Sequence, residues 1–373
     1  MTGRVAVVHD WLTGMRGGEA VLEAILDALP GAELFTLIHY PGSVSAKIEA
    51  RTIHTSSVQP LAARASDYRQ LLPLFPRAVR QWDFRDYDLI VSSSHCVAKG
   101  VDAKGKPHLS YCHTPMRYIW DRFDDYFPRS QPLKRAAMLS IAPWLRRWDV
   151  KTSAGVTRFV ANSAFVRDRI RRYYDRDAEI IHPFVDDAFL DAPLTEERDD
   201  YHLVVSALVP YKKIDLAIAA AVASNRRLIV IGGGPLLEEL RGRTGSMSGT
   251  NVELLGAVPR DVIIDHLSRA RSLILPGVED FGITPLEAMA LGTPVVALGE
   301  GGVRDSVLDG ETGIFFDRAE VDSLRRALDE VESRQWDRES IRAHAAKFSR
   351  AAFDTRFQEQ LSALSSQLSG GQR

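Results

Sequence analysis

Two carboxylates eight residues apart, Glu279 and Glu287, bracket the string Gly277-Val-Glu279-Asp-Phe-Gly-Ile-Thr-Pro-Leu-Glu287. Each carboxylate can accept two O–H donors, which suits the vicinal hydroxyls of a sugar or a ribose. An apolar run at 271–275 precedes the string and predicts a strand, and 285–291 has a helical pattern. Pro285 suits a first helical position, and Thr284 suits the N-cap. One acid would then sit in the loop and the other in the first helical turn. Unpaired N–H groups and the positive end of a helix dipole would offer a seat for a diphosphate. Lys212 and Lys213 follow an expected strand at 202–206, and a lysine there can neutralise a departing diphosphate. His113 stands just past an expected strand at 108–111, where it could hydrogen-bond a sugar hydroxyl. Each residue also has a plainer reading: solvated lysines, a structural histidine, acids favourably placed near a helix start.

These residues need a scaffold that gathers them. Residues 4–8, Arg-Val-Ala-Val-Val, form a continuous apolar run of the kind buried on both faces of a parallel sheet. Gly14, Gly17 and Gly18 follow, then Glu19-Ala-Val-Leu-Glu-Ala-Ile-Leu at helical spacing, so the chain opens with strand, glycine turn and helix. The glycine pair would let a phosphate or an acceptor approach the backbone, and a simple tight turn explains it about as well. Asp10, Arg16 and Arg117 are secondary candidates for the acceptor side. Short apolar runs recur at 33–38, 88–91, 108–111, 158–161 and 179–181. The same grammar restarts near Tyr201, with runs at 202–206, 227–231, 252–255, 271–275, 294–297 and 313–316. Gly232-Gly233-Gly-Pro235 is another strand-to-helix turn. Between the halves, 177–200 holds nine acidic residues and one basic, with Pro183 and Pro193, and reads as a linker. The expected architecture is α/β: two doubly wound parallel sheets whose carboxyl strand ends meet at a ligand cleft. We place an N-terminal acceptor-side domain at 1–188, a linker at 189–200, a nucleotide-sugar-binding domain at 201–350, and a C-terminal helix at 351–373 packing back on the first domain.

Composition narrows the classes. Of 373 residues, 45% are apolar and 26% charged, and 47 basic side chains face 49 acidic ones for a formal charge of −2. Wholesale disorder and strong non-specific nucleic-acid binding are excluded. Two cysteines without CxxC spacing exclude a disulfide scaffold and a cysteine-based zinc site. The apolar run at the N-terminus is too short for a signal peptide, and no stretch reaches a membrane-spanning length, so a soluble cytoplasmic protein is expected.

Glu279-x7-Glu287, with Phe281-Gly282 between and Ala288-Met-Ala-Leu-Gly-Thr-Pro-Val-Val296 after, resembles the glycosyltransferases of family 4. Tyr111-Cys-His-Thr-Pro-Met-Arg117, Asn162-Ser163, Pro210-Tyr-Lys212-Lys-Ile-Asp215 and Gly232-Gly-Gly-Pro235 follow in that family's order, so the resemblance covers nearly the whole chain. It implies the GT-B fold and a retaining transfer, with no glycosidase-like carboxylate pair required. The closest similarity is to bacterial mannosyltransferases that build O-antigen and exopolysaccharide on lipid carriers. The resemblance implies that Glu279 meets the donor's sugar hydroxyls and Glu287 the ribose hydroxyls. The Phe281, Gly282 and Ile283 backbone would meet the sugar or phosphates, and Lys212 the diphosphate. His113 would lie near the sugar's primary hydroxyl, with Gly17, Gly18, Lys213, Gly233 and Val258 also on the donor. Val258 lies where the nucleobase stacks, with Arg260 nearby. One departure stands out: Ala207 occupies the place of the family's usual arginine, so either Lys213 or another basic group substitutes or the diphosphate is less strongly stabilised.

The expected donor is GDP-mannose and the acceptor a lipid-linked or polysaccharide glycan. The alternatives are a UDP- or TDP-sugar donor, or a non-catalytic sugar-nucleotide-binding subunit. A dinucleotide-dependent dehydrogenase would need GxGxxG, and Gly14-Met-Arg-Gly-Gly18 lacks that spacing. No supported DxD-like string appears, so no metal and no other cofactor is expected. Residues 129–174 carry eleven basic side chains against Asp149 and Asp168, and Leu71-Leu-Pro-Leu-Phe-Pro76 is interleaved with Arg64, Arg69, Arg77 and Arg80. Solvated helix faces, or peripheral association with an anionic inner membrane face, fit that pattern equally.

Overall fold

The computed structural model describes residues 3–64, 68–195, 197–245 and 251–370. The chain divides into two units, Met1–His182 with Phe353–Arg373, and Pro183–Ala352.

The first unit is built on seven parallel strands: β1 (Val5–His9), β2 (Glu33–Thr36), β3 (Ile53–Thr55), β4 (Leu89–Ser94), β5 (His108–Cys112), β6 (Arg158–Ala161) and β7 (Ala178–Ile180). Their order is β3-β2-β1-β4-β5-β6-β7. All five residues of β1 are buried, as its uninterrupted apolar run predicts for a central parallel strand. The edge strand β3 was not expected, because Ile-His-Thr offers no apolar run and is only half-buried. The helix Gly17–Ala28 packs Val21, Leu22, Ile25 and Leu26 inward at helical spacing. The order reverses between β1 and β4, so the crevice that such sheets offer ligands opens beyond His9 and Ser94. Within this unit the C-terminal helix, Arg350–Gly370, buries Phe353, Phe357, Leu361 and Leu364. Phe353 lies 5.9 Å from the ring of Tyr111.

The second unit has six parallel strands, β8 (His202–Val205), β9 (Leu228–Ile231), β10 (Val252–Gly256), β11 (Ser272–Leu275), β12 (Val295–Leu298) and β13 (Gly313–Phe316), in the order β10-β9-β8-β11-β12-β13. Alternate residues of each strand feed two apolar layers. Leu203, Ile229, Leu273 and Val295 belong to one, and Val204, Val230, Ile274 and Val296 to the other. Its reversal lies between β8 and β11, which places the ligand crevice beyond Val205 and Leu275.

Two local expectations are corrected. The helix after β11 runs Ile283–Ala290, with Gly282 as its N-cap and no side-chain cap bond. Thr284 is therefore inside the first turn and Pro285 third, and Glu287 falls one turn in. Gly282 takes φ 89°, a conformation that glycine reaches without strain and that starts the helix two residues early. The acidic stretch 177–200 is more than linker: beside the strand expected at 179–181, which is β7 and pairs with β6, it holds the helix Asp187–Asp191, where Phe189 is buried.

Candidate functional site

In the second unit, the loops leaving β8 and β11 come together at the sheet's reversal point. After β8, a short turn over Pro210–Lys212 leads into the helix Ile214–Ala223. After β11 the chain passes Gly277, where an added side chain would lie 2.6 Å from the Tyr211 carbonyl oxygen and 2.9 Å from Lys212 Cα. Only a residue without Cβ lets the two backbones pass so closely. The result is that Lys212 Nζ donates to the Glu279 carboxylate, both side chains being mostly buried. Lys213 adopts the left-handed region at φ 51°, uncommon for a lysine, and turns the chain into the following helix.

The loop after β12 braces Glu279 from the other side. Gly302 N–H donates to the Glu279 carbonyl at 2.9 Å, and an added side chain on Gly302 would lie 2.1 Å from the Asp280 carbonyl oxygen. Gly299-Glu-Gly-Gly302 was missed in the sequence, although a glycine cluster after an apolar run was its visible signal. Gly282 lies beside Glu279, while Phe281 is buried in the apolar layer, so only its backbone faces the loop. Ile283 opens the helix. The loops after β8 and β9 are also joined, Leu208 N–H donating to the Gly233 carbonyl at 2.9 Å. Ala207 is exposed and supplies no cation.

Glu287 has different surroundings. The charges bearing on it are those of Arg260 and Asp186, themselves paired at 2.7 Å. Burial pushes its carboxyl up to about 7, with Arg260 opposing and Asp186 adding to the effect. Val258 is half-buried just before the helix Arg260–Arg269. Of the side chains singled out in this unit, Lys212 and Glu279 are thus a bonded pair, and the Glu287 carboxyl follows on the adjoining helix.

In the first unit, His113 follows β5 and takes Ser93 as a partner, Nε2 lying 2.8 Å from Oγ. His95 and His9 lie close by, with ring centroids of His95 and His113 6.4 Å apart and of His9 and His95 5.9 Å apart. Burial, together with His95, His9 and Arg117, holds the His113 imidazole well below the usual histidine range, so it is neutral near pH 7. An added side chain at Gly18 would touch His113 at 3.9 Å, which puts the glycine turn beside this ring, and Gly17 opens the helix behind it. Arg16 is exposed and serves as that helix's N-cap residue.

Asp10, a candidate for the acceptor side, lies beneath the surface of the first unit. It is fully buried, and its two oxygens accept the N–H groups of His95, Cys96, Val97 and Ala98 at 2.7–2.9 Å. A carboxylate so occupied anchors the loop after β4, which a reading of spacing alone could not foresee. His9, Ser93, His95 and Glu19 were not singled out in the sequence. Their signal is tertiary, since β1 and β4 become neighbours only through the crossover.

Two parallel sheets, of seven and six strands, each reversing between its first and fourth strands with a polar cluster at that point, define the GT-B class of folds. Solved structures with that architecture superpose over the whole chain. A lipopolysaccharide outer core galactosyltransferase, WaaB, matches 96% of this chain and 99% of its own with a TM-score of 0.67 at 15% identity. HepE of Anabaena, solved with UDP-glucose, matches 97% and 100% with a TM-score of 0.66 at 16% identity. The Glycosyltransferase Family 4 model matches residues 15–189, and the Glycosyl transferases group 1 model matches residues 186–348. The chain belongs to glycosyltransferase family 4.

Among named relatives, a GDP-mannose-dependent alpha-(1-6)-phosphatidylinositol monomannoside mannosyltransferase of Mycolicibacterium smegmatis is 33% identical over 213 residues, 50% of this chain and 55% of that protein. An alpha-D-kanosaminyltransferase of Streptomyces kanamyceticus is 30% identical over 222 residues, 52% of this chain and 56% of that protein. The chain spans about half the length of the curated relatives it matches.

Proposed function

We propose that this protein transfers a hexose, mannose from GDP-mannose, to a lipid-linked or polysaccharide acceptor with retention of configuration. The observation that carries the reading is the bonded pair of Lys212 and Glu279 at the reversal point of the second sheet. In the proposed reaction the bond between the sugar's anomeric carbon and the diphosphate oxygen breaks as a bond to the acceptor oxygen forms. The acceptor's proton goes to the departing diphosphate. Lys212 neutralises the charge that grows on that group, and Glu279 accepts hydrogen bonds from the sugar hydroxyls. Glu287 is assigned the ribose hydroxyls and His113 a sugar hydroxyl, with Gly17, Gly18, Gly233, Val258 and the 281–283 backbone lining the donor. Rate enhancement on this reading comes from positioning and leaving-group stabilisation. Neither DxD string of the sequence, Asp86-Tyr-Asp88 or Asp175-Arg-Asp177, has a supporting context, which favours a metal-independent reaction whose turnover a chelator leaves unchanged.

The mannosyl donor is favoured by the GDP-mannose-dependent relatives, and a UDP-sugar is the competing reading because HepE was solved with one. Thermal-shift measurements with GDP, UDP, ADP and TDP and their sugars decide between them, since only the matching nucleotide should raise Tm. Transfer is then followed with that donor, and NMR of the product's anomeric proton reads the configuration. Stabilisation by UDP alone would overturn the GDP assignment, and an inverted product would overturn retention.

Peripheral membrane binding belongs to the same proposal. No helix among the described residues is long and apolar enough to cross a membrane. The helix Pro132–Ser153 nonetheless exposes Leu133 (87%), Leu139 (55%) and Trp144 (47%) together with Arg147 and Lys151. Its single acid, Asp149, is buried against Lys99 at 2.9 Å, so the outer face bears positive charge alone. Such a face suits an anionic lipid surface. The segment 61–80 adds exposed Leu61 and Leu74. Residues 65–67 within it lie outside the described residues. Flotation with phosphatidylglycerol vesicles should carry the protein in low salt, and a Leu133→Glu, Trp144→Glu variant should stay behind. Equal recovery of the two overturns the assignment.

A further inference from the structure

Behind His113 stand three side chains in file. His9 on β1 and Ser93 on β4 are register partners across the two central strands. Their side chains therefore meet on one face, His9 Nδ1 lying 3.0 Å from Ser93 Oγ. Ser93 Oγ in turn lies 2.8 Å from His113 Nε2. The other ring nitrogen of His9, Nε2, is buried without a hydrogen-bond partner, and its nearest charged neighbour is Glu19 Oε1 at 3.8 Å. Glu19 is itself fixed, because its second oxygen accepts the Arg16 N–H at 3.0 Å where the helix Gly17–Ala28 begins. Burial works against its charge, and the histidines His9 and His95 outweigh that, holding its carboxyl below the usual range.

The protons along this file have one consistent order. A buried imidazole nitrogen that faces a carboxylate carries the hydrogen, because a lone pair there would point at negative charge. With His9 a neutral imidazole protonated on Nε2, its Nδ1 is an acceptor, and the Ser93 hydroxyl must donate to it. The Ser93 oxygen then has only lone pairs to offer His113, so His113 Nε2 carries the hydrogen that bonds to it. A neutral imidazole has one ring hydrogen, which leaves His113 Nδ1 as a bare acceptor.

We infer that Glu19 is a positioning residue which, through His9 and Ser93, fixes His113 in its Nε2–H tautomer and so presents Nδ1 to a hydroxyl donor. A sugar hydroxyl is such a donor, and a hydrogen or an ether oxygen in its place is not, so the chain would discriminate against donors lacking that hydroxyl. The discrimination rests on the role proposed for His113, whereas the tautomer is a property of the free protein.

Two-bond 1H–15N NMR of histidine-labelled protein near pH 7 reads the tautomer directly, with His113 assigned by comparison with His113→Gln. The wild type should show His113 protonated at Nε2 only. Ser93→Ala should release it to a mixture with Nδ1–H, and Ser93→Thr, which keeps the hydroxyl, should restore the single form. Glu19→Ala should free His9 and with it His113. A wild-type His113 protonated at Nδ1, or a Ser93→Ala protein with the tautomer unchanged, overturns the chain. An effect of Ser93→Ala without one of Glu19→Ala overturns the part given to Glu19. No substrate enters this experiment, so failure of the donor panel would strike the proposed function and leave the tautomer result standing.

Discussion

Lys212 reaches the Glu279 carboxylate because its backbone lies against the bare α-carbon of Gly277. The contact joins the first and fourth strands of the second sheet through the loops that follow them, at the point where strand order reverses. The pair is thus a product of chain topology and of one missing methyl group.

Gly277→Ala should therefore disturb both fold and site. The added methyl would sit 2.6 Å from a carbonyl oxygen, closer than real contacts allow, and neither neighbouring atom is at the end of a flexible side chain. Overpacking of this kind costs about 1–3 kcal/mol. Urea denaturation should show a lower midpoint at unchanged slope, and nucleotide affinity should fall with it. Wild-type values for both would refute the role given to the glycine.

Lys212→Ala and Glu279→Gln should separate two roles. Loss of the lysine should weaken nucleoside diphosphate binding roughly 10-fold or more, by analogy with a charge-assisted hydrogen bond of about 1.5–3 kcal/mol. Glu279→Gln should leave nucleoside diphosphate affinity near wild type and lower the transfer rate about 100-fold. Calorimetric titration and initial rates check the two arms. A Glu279→Gln protein that transfers sugar at the wild-type rate removes that residue from the reaction.

Glu287 predicts a pH-dependent stability. Burial raises its carboxyl from 4.5 to about 7. Between those values the folded protein keeps a proton that the unfolded chain gives up, so raising the pH through this window destabilises the fold. The loss is absent below 4.5 and complete above 7, at about 3 kcal/mol. Glu287→Gln removes the buried charge, so its Tm should exceed the wild type's at pH 8 and approach it at pH 5. A Tm difference that stays constant across that range would contradict the environment described for Glu287.

Asp10 predicts a structural defect. Its carboxylate closes the turn after β4 with four N–H bonds, and Asp10→Ala would leave those donors buried without partners. Each such group costs about 1–3 kcal/mol, and partial relaxation should leave a total of at least 3 kcal/mol. Chemical denaturation measures it directly. A variant as stable as the wild type would reopen a role for Asp10 in acceptor binding.

Twelve of the thirteen strands were legible as short apolar runs, most plainly a central one such as Val5–His9, which is buried on both faces. Ile53–Thr55 was not, since an edge strand can hold its place on backbone pairing with little apolar side-chain area. The Glu279 to Glu287 string and the lysine pair were visible as well, because loop, cap and helix are local features. Where the helix begins was read two residues late, since the positive φ of Gly282, not a side-chain cap, starts it.

Sequence by itself therefore determined the alternation of strand and helix, the restart of that pattern near Tyr201, and the loops bearing acids, lysines and glycines. It did so because periodicity, turn chemistry and helix termini depend on neighbours in the chain. Only the tertiary structure decided that Asp10 is spent on four backbone amides, that Lys212 bonds Glu279, and that Glu19, His9 and Ser93 stand behind His113. Those relations join residues 67 to 88 positions apart, or pass through two strands made adjacent by a crossover. Distance along the chain carries no information about such neighbours until the sheet order sets them side by side.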